Sequence, residues 1–139
     1  MIALLDTDLL IDVALDRHPF SSDSAAVLDA AQRRELQAFI AWHSIANFYY
    51  IVSSPSGKNS AKRFIADLLA FVQIATTQTA DARLALQLDL PDFEDALQVV
   101  AARVCRAEYL VTRNLKHYKK SPVPAISPKN FRLLLQKTD

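Results

Sequence analysis

The chain has 139 residues, 51% of them hydrophobic, and a net charge of +1, a length and composition that predict one globular domain over residues 1–139. A single cysteine excludes a disulfide or a thiolate zinc site within one chain, and a single glycine excludes the glycine-rich phosphate loops of nucleotide-binding proteins. No apolar run approaches the roughly 20 residues of a membrane helix and no signal-peptide pattern opens the chain, so we expect a cytoplasmic protein without membrane contact.

Apolar runs and helical periodicities alternate along the sequence. The run Ile2–Leu5 predicts a buried strand that passes directly into a helix. Residues 21–35 begin with good N-cap residues and predict a second helix. Further strands are predicted at 36–41, 72–75, 109–112 and 123–126. Further helices are predicted at HSIANFYYIVSS, KNSAKRFIADLLAF, 78–88, 92–106 and from Pro128, with a loop over 53–57.

Strands that alternate with helices predict a parallel sheet, because parallel strands need crossover connections and these are almost always helical and right-handed. We therefore expect a doubly wound, three-layer α/β/α sandwich with a central parallel sheet. In such sheets ligands bind outside the carboxyl ends of the strands. Asp6, which directly follows the first strand, meets this criterion.

Three groups of polar residues follow strand ends or open a helix, so they can meet at this edge. Carboxylates gathered within a few ångströms repel one another unless a cation joins them, and oxygen ligands favour Mg²⁺ or Mn²⁺. This pattern indicates metal-assisted hydrolysis or phosphoryl chemistry. The groups are Asp6 with Asp8, Asp92 with Glu94 and Asp95, and Thr112 with Arg113 and Asn114.

These acidic residues also have structural explanations. Asp92 and Asp95 suit the N-cap and first turn of a helix, where a carboxylate contributes about 0.5–2 kcal/mol. Asp8 can cap the first helix or reach the edge beside Asp6. Asp6 itself abuts a buried run, where a carboxylate needs a partner or an ion, and this favours a functional role.

Other candidate residues favour structural roles. Asp12 and Asp16 continue a four-residue repeat from Asp8, which predicts a solvated face of the first helix. The aromatic cluster at 48–50 can stack on bases or join the core, and its apolar neighbours favour the core. The three histidines fit no HExxH spacing and no GxSxG motif occurs, so histidine-based hydrolases are disfavoured.

Charge is unevenly distributed along the chain. Residues 1–102 carry 7 Lys/Arg and 13 Asp/Glu, whereas residues 103–139 carry 9 Lys/Arg and 2 Asp/Glu. An acidic part that holds cations beside a basic part that attracts a polyanion is one explanation, and an ordinary solvated surface is the other.

The segments LLDTDLLID, HSIANFYYIV, DFEDALQVVAA, YLVTRNLKHY and PAISPKNF, in this order, resemble the PIN-domain family and in particular its bacterial toxin-like (VapC-type) branch. The resemblance spans nearly the whole chain. It implies a site of four acidic positions that binds one or two Mg²⁺ or Mn²⁺ ions. Those positions correspond here to Asp6, Asn47, Asp95 and Asn114.

Two of the four positions are amides here, which removes two negative charges but leaves carbonyl oxygens able to bind an ion or water. Asp8 is expected to restore part of that charge beside Asp6 and to contribute to metal binding. Asp92 and Glu94 are expected to support the site in the same way. Thr112 resembles the hydroxyl residue that holds the first aspartate.

The resemblance implies a metal-dependent ribonuclease, the toxin of a toxin-antitoxin pair, acting as a homodimer with a cognate antitoxin protein. Asp6 and Asp95 would hold an ion that activates water for attack on RNA. Contacts with the RNA backbone are expected from Arg113, Lys116, Lys119 and Lys120. Two alternatives stay open: a PIN-like RNA- or protein-binding module without catalysis, and a receiver-like or phosphatase-like domain in which Asp6 accepts phosphate.

Overall fold

A computed structural model describes residues 1–137 and contains a five-stranded sheet in which every pair of neighbours is parallel. The order across the sheet is β3-β2-β1-β4-β5. The strands are β1 (Ile2–Leu5), β2 (Gln37–Ile40), β3 (Val72–Ile74), β4 (Tyr109–Val111) and β5 (Ala125–Ile126). All five lie within the predicted strand ranges, and the predicted α/β/α sandwich is confirmed.

Over the same residues, seven α-helices connect and cover the strands. They are α1 (Thr7–Ala14), α2 (Ser21–Gln32), α3 (Trp42–Ser56), α4 (Lys58–Leu68), α5 (Thr79–Gln87), α6 (Phe93–Val104) and α7 (Pro128–Lys137), with a short 3-10 helix at Leu115–Tyr118. None of the helices within residues 1–137 combines the length and apolar character needed to cross a bilayer.

The predicted loop over 53–57 is wrong for its first four residues, because α3 continues to Ser56. Pro55 lies in the last turn, where its missing N–H removes only one helical hydrogen bond. The helix ends at Gly57, whose φ of 88° is a backbone conformation that glycine adopts without strain.

The strand β1 lies at the centre of the sheet and separates two apolar clusters. Ala3 and Leu5 pack in the larger cluster, whereas Leu4 packs on the opposite face with residues of α6. This alternation is expected for a strand buried on both faces, because successive side chains point to opposite sides.

The carboxyl ends of β1 and β4 place the polar residues that follow them side by side. The backbone N–H of Asp6 donates to the carbonyl of Val111 at 2.9 Å. Asp6 follows β1 and Thr112 follows β4, so both side chains start from the same edge of the sheet.

Candidate metal centre

Asp6 is held firmly at the junction of β1 and α1. As the N-cap of α1 it accepts a hydrogen bond on Oδ1 from the backbone N–H of Thr7 at 2.7 Å. Its Oδ2 accepts from the hydroxyl of Thr112, also at 2.7 Å. Only 4% of the residue is exposed. The predicted contact between Thr112 and Asp6 is therefore present in the structure.

Asp95 lies in the first turn of α6 and is buried to the same extent as Asp6. Its Oδ1 accepts from the hydroxyl of Tyr118 at 3.1 Å, and its Oδ2 lies 2.9 Å from Nδ1 of His117. Both partners belong to the 3-10 helix after β4. The carboxylate is thus fixed at both oxygens by two consecutive residues.

The hydroxyl of Tyr118 also lies 3.4 Å from Oδ2 of Asp6, so one oxygen atom joins the two aspartates. The two carboxylate oxygens cannot be farther apart than the sum of these two contacts. An ion or an ion with its bound water spans such a gap. The structure therefore brings together the two aspartates from which the sequence predicted a shared site.

Burial dominates the electrostatics of Asp6. It raises the pKa of this carboxyl from the ordinary 3.8 to about 8, with further increases from Asp8 and Glu94 and partial relief from the hydrogen bonds of Thr112 and Thr7. Burial likewise raises the pKa of Asp95. No side-chain ion pair involves Asp6 anywhere in residues 1–137. The negative charge of Asp6 therefore has no ion-pair partner among the described residues.

Asp8 lies beside Asp6 and is only partly satisfied. Its Oδ2 accepts from the backbone N–H of Arg113 and from the side-chain amide of Asn114, at 3.3 and 3.2 Å. Its Oδ1 is buried without a hydrogen-bond partner among the described atoms. Burial raises its pKa to about 6, while the charge of Arg113 opposes the increase. An unpartnered carboxylate oxygen beside Asp6 suits a bound cation or its water.

Glu94 contributes a further carboxylate, and α3 holds it in place. Its Oε1 lies 3.0 Å from Nε2 of His43 and accepts from the side-chain amides of Asn47 and Gln98, each at 3.4 Å. The hydrogen bond from His43 is the main reason that the pKa of Glu94 falls below its usual value. Glu94 is therefore ionised where Asp6 feels its charge.

The two amide residues in the predicted site each donate to a neighbouring carboxylate. Asn47 donates to Glu94, and Asn114 donates to Asp8. An amide N–H₂ can do this, whereas a carboxylate at either position would repel its neighbour. The negative charges absent at 47 and 114 are thus replaced, nearby, by those of Glu94 and Asp8.

A buried polar cluster lies beneath these groups. The hydroxyl of Thr7 donates to that of Ser44 at 2.7 Å, and the amide of Gln98 donates to both hydroxyls. These residues come from α1, α3 and α6, so the cluster locks together the three helices that carry Asp6, Asn47 and Asp95.

The sequence interpretation of Asp12 is wrong. Asp12 is fully buried rather than solvated, and it accepts from Nε and, at 3.1 Å, from Nη2 of Arg113. The guanidinium of Arg113 also stacks over the ring of Phe20, 4.1 Å from its centroid. Any RNA contact by Arg113 would compete with this pairing. Asp16 is exposed, as predicted, and accepts from the hydroxyl of Ser21.

Asp92 is the exposed N-cap of α6 and accepts from the backbone N–H of Glu94 at 2.9 Å, which matches the helix-capping alternative.

The lysines that follow β4 lie at the surface. Lys120 pairs with Asp89 at 2.8 Å, and both side chains are largely exposed. Lys116 and Lys119 are exposed and form no salt bridge within residues 1–137. A surface groove beside Asp95 is lined by Asp89, Leu90, Pro91, Lys116, His117, Lys119 and Lys120.

Sequence reasoning missed His43, His117 and Tyr118. Each contacts a carboxylate of the site, but none lies in a motif that a spacing rule recognises. The one available signal was the position of His117 and Tyr118 a few residues beyond the end of β4, at the edge where ligands bind.

The donor set fits a hard cation with few protein ligands. Within residues 1–137, no group of three or more His, Cys, Asp or Glu side chains is arranged to hold an ion. Mg²⁺, however, commonly binds one or two carboxylates and keeps several waters. Two aspartates joined through one hydroxyl, with an unpartnered oxygen of Asp8 nearby, match that mode.

Comparison with known protein families gives a match to the PIN domain over residues 3–116. The chain belongs to the PIN-domain family. The matched region contains all the carboxylates described above and ends inside the 3-10 helix. No curated protein sequence matches this PIN domain.

Several solved structures that are similar to this PIN domain are of toxin-antitoxin proteins. VapBC2 of Rickettsia felis, bound to a promoter DNA fragment, has 21% identity, a TM-score of 0.66 and covers 91% of this chain and 98% of its own. A toxin-antitoxin complex of Klebsiella pneumoniae has 22% identity, a TM-score of 0.66 and coverages of 91% and 97%.

A third structure is that of Mycobacterium tuberculosis VapC20, described as a toxin that cleaves the sarcin-ricin loop. It is 11% identical to this chain, with a TM-score of 0.63, and covers 78% of this chain and 86% of its own. At these identities the similarity establishes the fold of the PIN domain, and its chemistry must be argued from its own residues.

Proposed function

We propose that this PIN domain is a divalent-metal-dependent endoribonuclease and the toxin component of a type II toxin-antitoxin pair. The observation that carries the proposal is the pair of buried aspartates, Asp6 and Asp95, joined through one hydroxyl where β1 and β4 end. Asp6 has no counterion within residues 1–137, so a cation from solution is the natural partner for its charge.

In this proposal Asp6 and Asp95 hold Mg²⁺ or Mn²⁺, and Asp8 and Glu94 increase the negative potential around it. The bound ion would activate water and stabilise the charge that develops on the phosphate. Thr112 keeps the carboxylate of Asp6 oriented towards the site. Asn47 and Asn114 then act as donors that hold Glu94 and Asp8, rather than as the auxiliary ligands expected from the sequence.

The groove beside Asp95 is the proposed path of the RNA backbone. Lys116 and Lys119 carry charges that no carboxylate neutralises within residues 1–137, and a polyanion lying in the groove would pass the site. Lys120 would first have to exchange Asp89 for phosphate, which costs little because both groups are exposed. RNA as the substrate class is supported by the similar toxin that cleaves the sarcin-ricin loop.

Cleavage of structured RNA by the purified protein, with and without Mn²⁺, tests the function. We expect Mn²⁺-dependent cleavage that EDTA abolishes. Asp6→Asn and Asp95→Asn should each reduce the rate by at least about 100-fold, because each replaces a charged ligand of the ion by a neutral amide. Asp67→Asn is the matched control, since Asp67 is an exposed residue of α4 near the start of β3, at the opposite end of the sheet. Equal activity in all four proteins would reject the assignment.

A homodimer is the proposed assembly, and α3 offers a surface for it. Trp42, Ala46 and Tyr50 are exposed and recur every four residues, with Trp42 and Tyr50 exposed to 68% and 77%. Light scattering should give the mass of two chains, and Trp42→Glu should give the mass of one. A monomeric wild-type protein would contradict the proposed dimer without affecting the metal site.

An antitoxin protein is the proposed regulatory partner, supported by the toxin-antitoxin complexes among the similar structures. A segment that places a cationic side chain beside Asp6 would supply the missing counterion and exclude the metal. Co-expression with the product of a short adjacent reading frame should yield a complex that does not cleave RNA. If RNA is cleaved at an undiminished rate in the presence of that product, the product is not the proposed partner.

A second candidate function is RNA or protein binding without catalysis. The observation that favours it is that no three His, Cys, Asp or Glu side chains in the described part of the chain are arranged to hold an ion. This alternative predicts RNA binding that survives EDTA and no cleavage with Mn²⁺. The phosphate-acceptor alternative is disfavoured, because the match to the PIN domain over residues 3–116 points away from a receiver-like or phosphatase-like domain.

A further inference from the structure

Tyr118 connects the core of the protein to the two aspartates. Its ring packs in the apolar cluster that contains Leu4, Leu110 and Val123, and only 3% of the residue is exposed. Its hydroxyl emerges from that cluster between Asp95 and Asp6, at 3.1 and 3.4 Å. Because the ring is tightly packed in the core, the hydroxyl has little freedom to move.

Core packing alone does not account for the hydroxyl. A phenylalanine ring would fill the same apolar space, and a buried hydroxyl costs stability unless a partner satisfies it. Both oxygens near the Tyr118 hydroxyl belong to carboxylates, which are the strongest acceptors available, and its single O–H donates to one of them at a time. Burial and the charges of Asp6 and Asp95 raise the pKa of Tyr118 far above its usual value, so the group is a neutral donor.

The same short helix controls the second oxygen of Asp95. His117 lies 2.9 Å from Oδ2 while Tyr118 lies on Oδ1, so the rotation of the Asp95 carboxylate is restricted from both sides. His117 is half exposed, whereas Tyr118 is anchored in the core. Tyr118 is accordingly the more rigid of the two supports.

We propose that Tyr118 is a positioning residue for the metal centre, setting the separation and orientation of Asp6 and Asp95 so that both can face one divalent ion. The inference rests on the proposed metal-dependent function. Two aspartates without a third ligand depend strongly on being held in place, because repulsion between them would otherwise drive them apart. Outer groups that orient metal ligands typically account for about 10–100-fold of metal affinity.

Calorimetric titration of the full chain with Mn²⁺ tests the inference without relying on cleavage. Tyr118→Phe keeps the ring and removes only the hydroxyl, so we expect the Kd for Mn²⁺ to rise by about 10–100-fold. His117→Gln should raise it less. Tyr109→Phe is the matched control, because the ring of Tyr109 packs against Phe131 in the other cluster, and its Kd should equal that of the wild type.

Thermal unfolding in EDTA separates positioning from a structural role. Tyr118→Phe should unfold within a few degrees of Tyr109→Phe, because the ring stays in the core. If the wild type binds Mn²⁺ and Tyr118→Phe binds it equally or more tightly, the positioning role is overturned while the metal-dependent function stands. If the wild type binds no Mn²⁺, the proposed function fails and the positioning role fails with it.

Discussion

Two buried aspartates on the same helix, Asp6 at the cap of α1 and Asp12 near its end, have opposite surroundings. Asp12 is fully buried and receives two hydrogen bonds from the guanidinium of Arg113, with Arg17 at 3.9 Å. Asp6 is buried almost as deeply but receives only a backbone N–H and two hydroxyl contacts. Both carboxylates are removed from water, yet within residues 1–137 only Asp12 forms an ion pair.

The difference separates a carboxylate whose charge the protein itself balances from one that is a candidate metal ligand. A buried charge needs compensation, and Arg113 provides it for Asp12 in a geometry that suits a carboxylate. For Asp6, the compensation must be a proton or a cation from solution, as its raised pKa indicates. A buried acid that lies at a ligand-binding edge and has no counterion is therefore a better candidate for a metal ligand than a buried acid that has one.

The largest effect is expected from removing the partner of Asp12. Arg113→Met leaves the buried carboxylate of Asp12 with only the more distant Arg17 and should lower the free energy of unfolding by about 3–5 kcal/mol, measured by urea denaturation. Arg113→Lys should cost less, because lysine keeps the charge but not the paired hydrogen bonds. A loss below about 1 kcal/mol for Arg113→Met would mean that Asp12 does not depend on Arg113.

Asp6, which lacks a positive partner among the described residues, is expected to make the stability of the protein depend on pH. The folded metal-free protein keeps a proton on Asp6 up to about pH 8, whereas the unfolded chain releases it near 3.8. The free energy of unfolding should therefore fall as the pH rises from about 4 to about 8, and Asp6 alone contributes at most about 1.4 kcal/mol per pH unit to this fall. Asp8, with a pKa of about 6, contributes in the same direction.

Denaturation of metal-free protein at several pH values measures this fall. Residue 6 of Asp6→Asn cannot ionise, so the variant should show a smaller fall, to which Asp8 still contributes, and should be more stable than the wild type at pH 8. Asp67→Asn, on the exposed face of α4, should keep the wild-type slope. A wild-type slope that Asp6→Asn leaves unchanged would assign the effect to other groups.

A bound metal ion should offset the loss of stability that ionised Asp6 causes. At pH 8 and at 100 times its Kd, Mn²⁺ should stabilise the wild type by about 2.7 kcal/mol, seen as a rise in Tm. Asp6→Asn should show little of this rise. Arg113→Lys alters the partner of Asp12, the other buried acid, and should retain the rise. A rise of equal size in Asp6→Asn would place the ion elsewhere.

The smallest effect concerns the basic groove. Lys116→Ala and Lys119→Ala should each weaken RNA binding in EDTA and reduce the dependence of log Kd on log salt by about 0.7, the value for one phosphate contact on a single strand. Lys129→Ala, at the exposed start of α7 and outside the groove, is the control. Unchanged salt dependence in both groove variants would exclude the groove as the RNA path.

The fold was predictable because its strands are short apolar runs whose period and spacing are local features of the sequence. The approach of Asp6 and Asp95 was predictable too, since Asp6 follows a parallel strand and Asp95 opens the helix before the next strand, and these ends lie at the same edge of the sheet. The burial of Asp12 was not. Its four-residue spacing from Asp8 looks like a solvated face, and its partner Arg113 lies 101 residues away in the chain.

The supporting groups were equally hidden from local reasoning. Tyr118 lies in the 3-10 helix after β4, and its hydroxyl contacts both Asp6 and Asp95, which are distant from it in sequence. The donation from Asn47 to Glu94 joins α3 to α6 across 47 positions of sequence. Such contacts depend on how helices pack, and neither residue type nor sequence spacing predicts them.

The most direct test is a crystal structure of the protein soaked in millimolar Mn²⁺, with anomalous diffraction data collected to locate the ion. The account predicts a manganese peak that contacts the carboxylates of Asp6 and Asp95, directly or through one water. An ordered site with both aspartates in place and no peak beside Asp6 would contradict it.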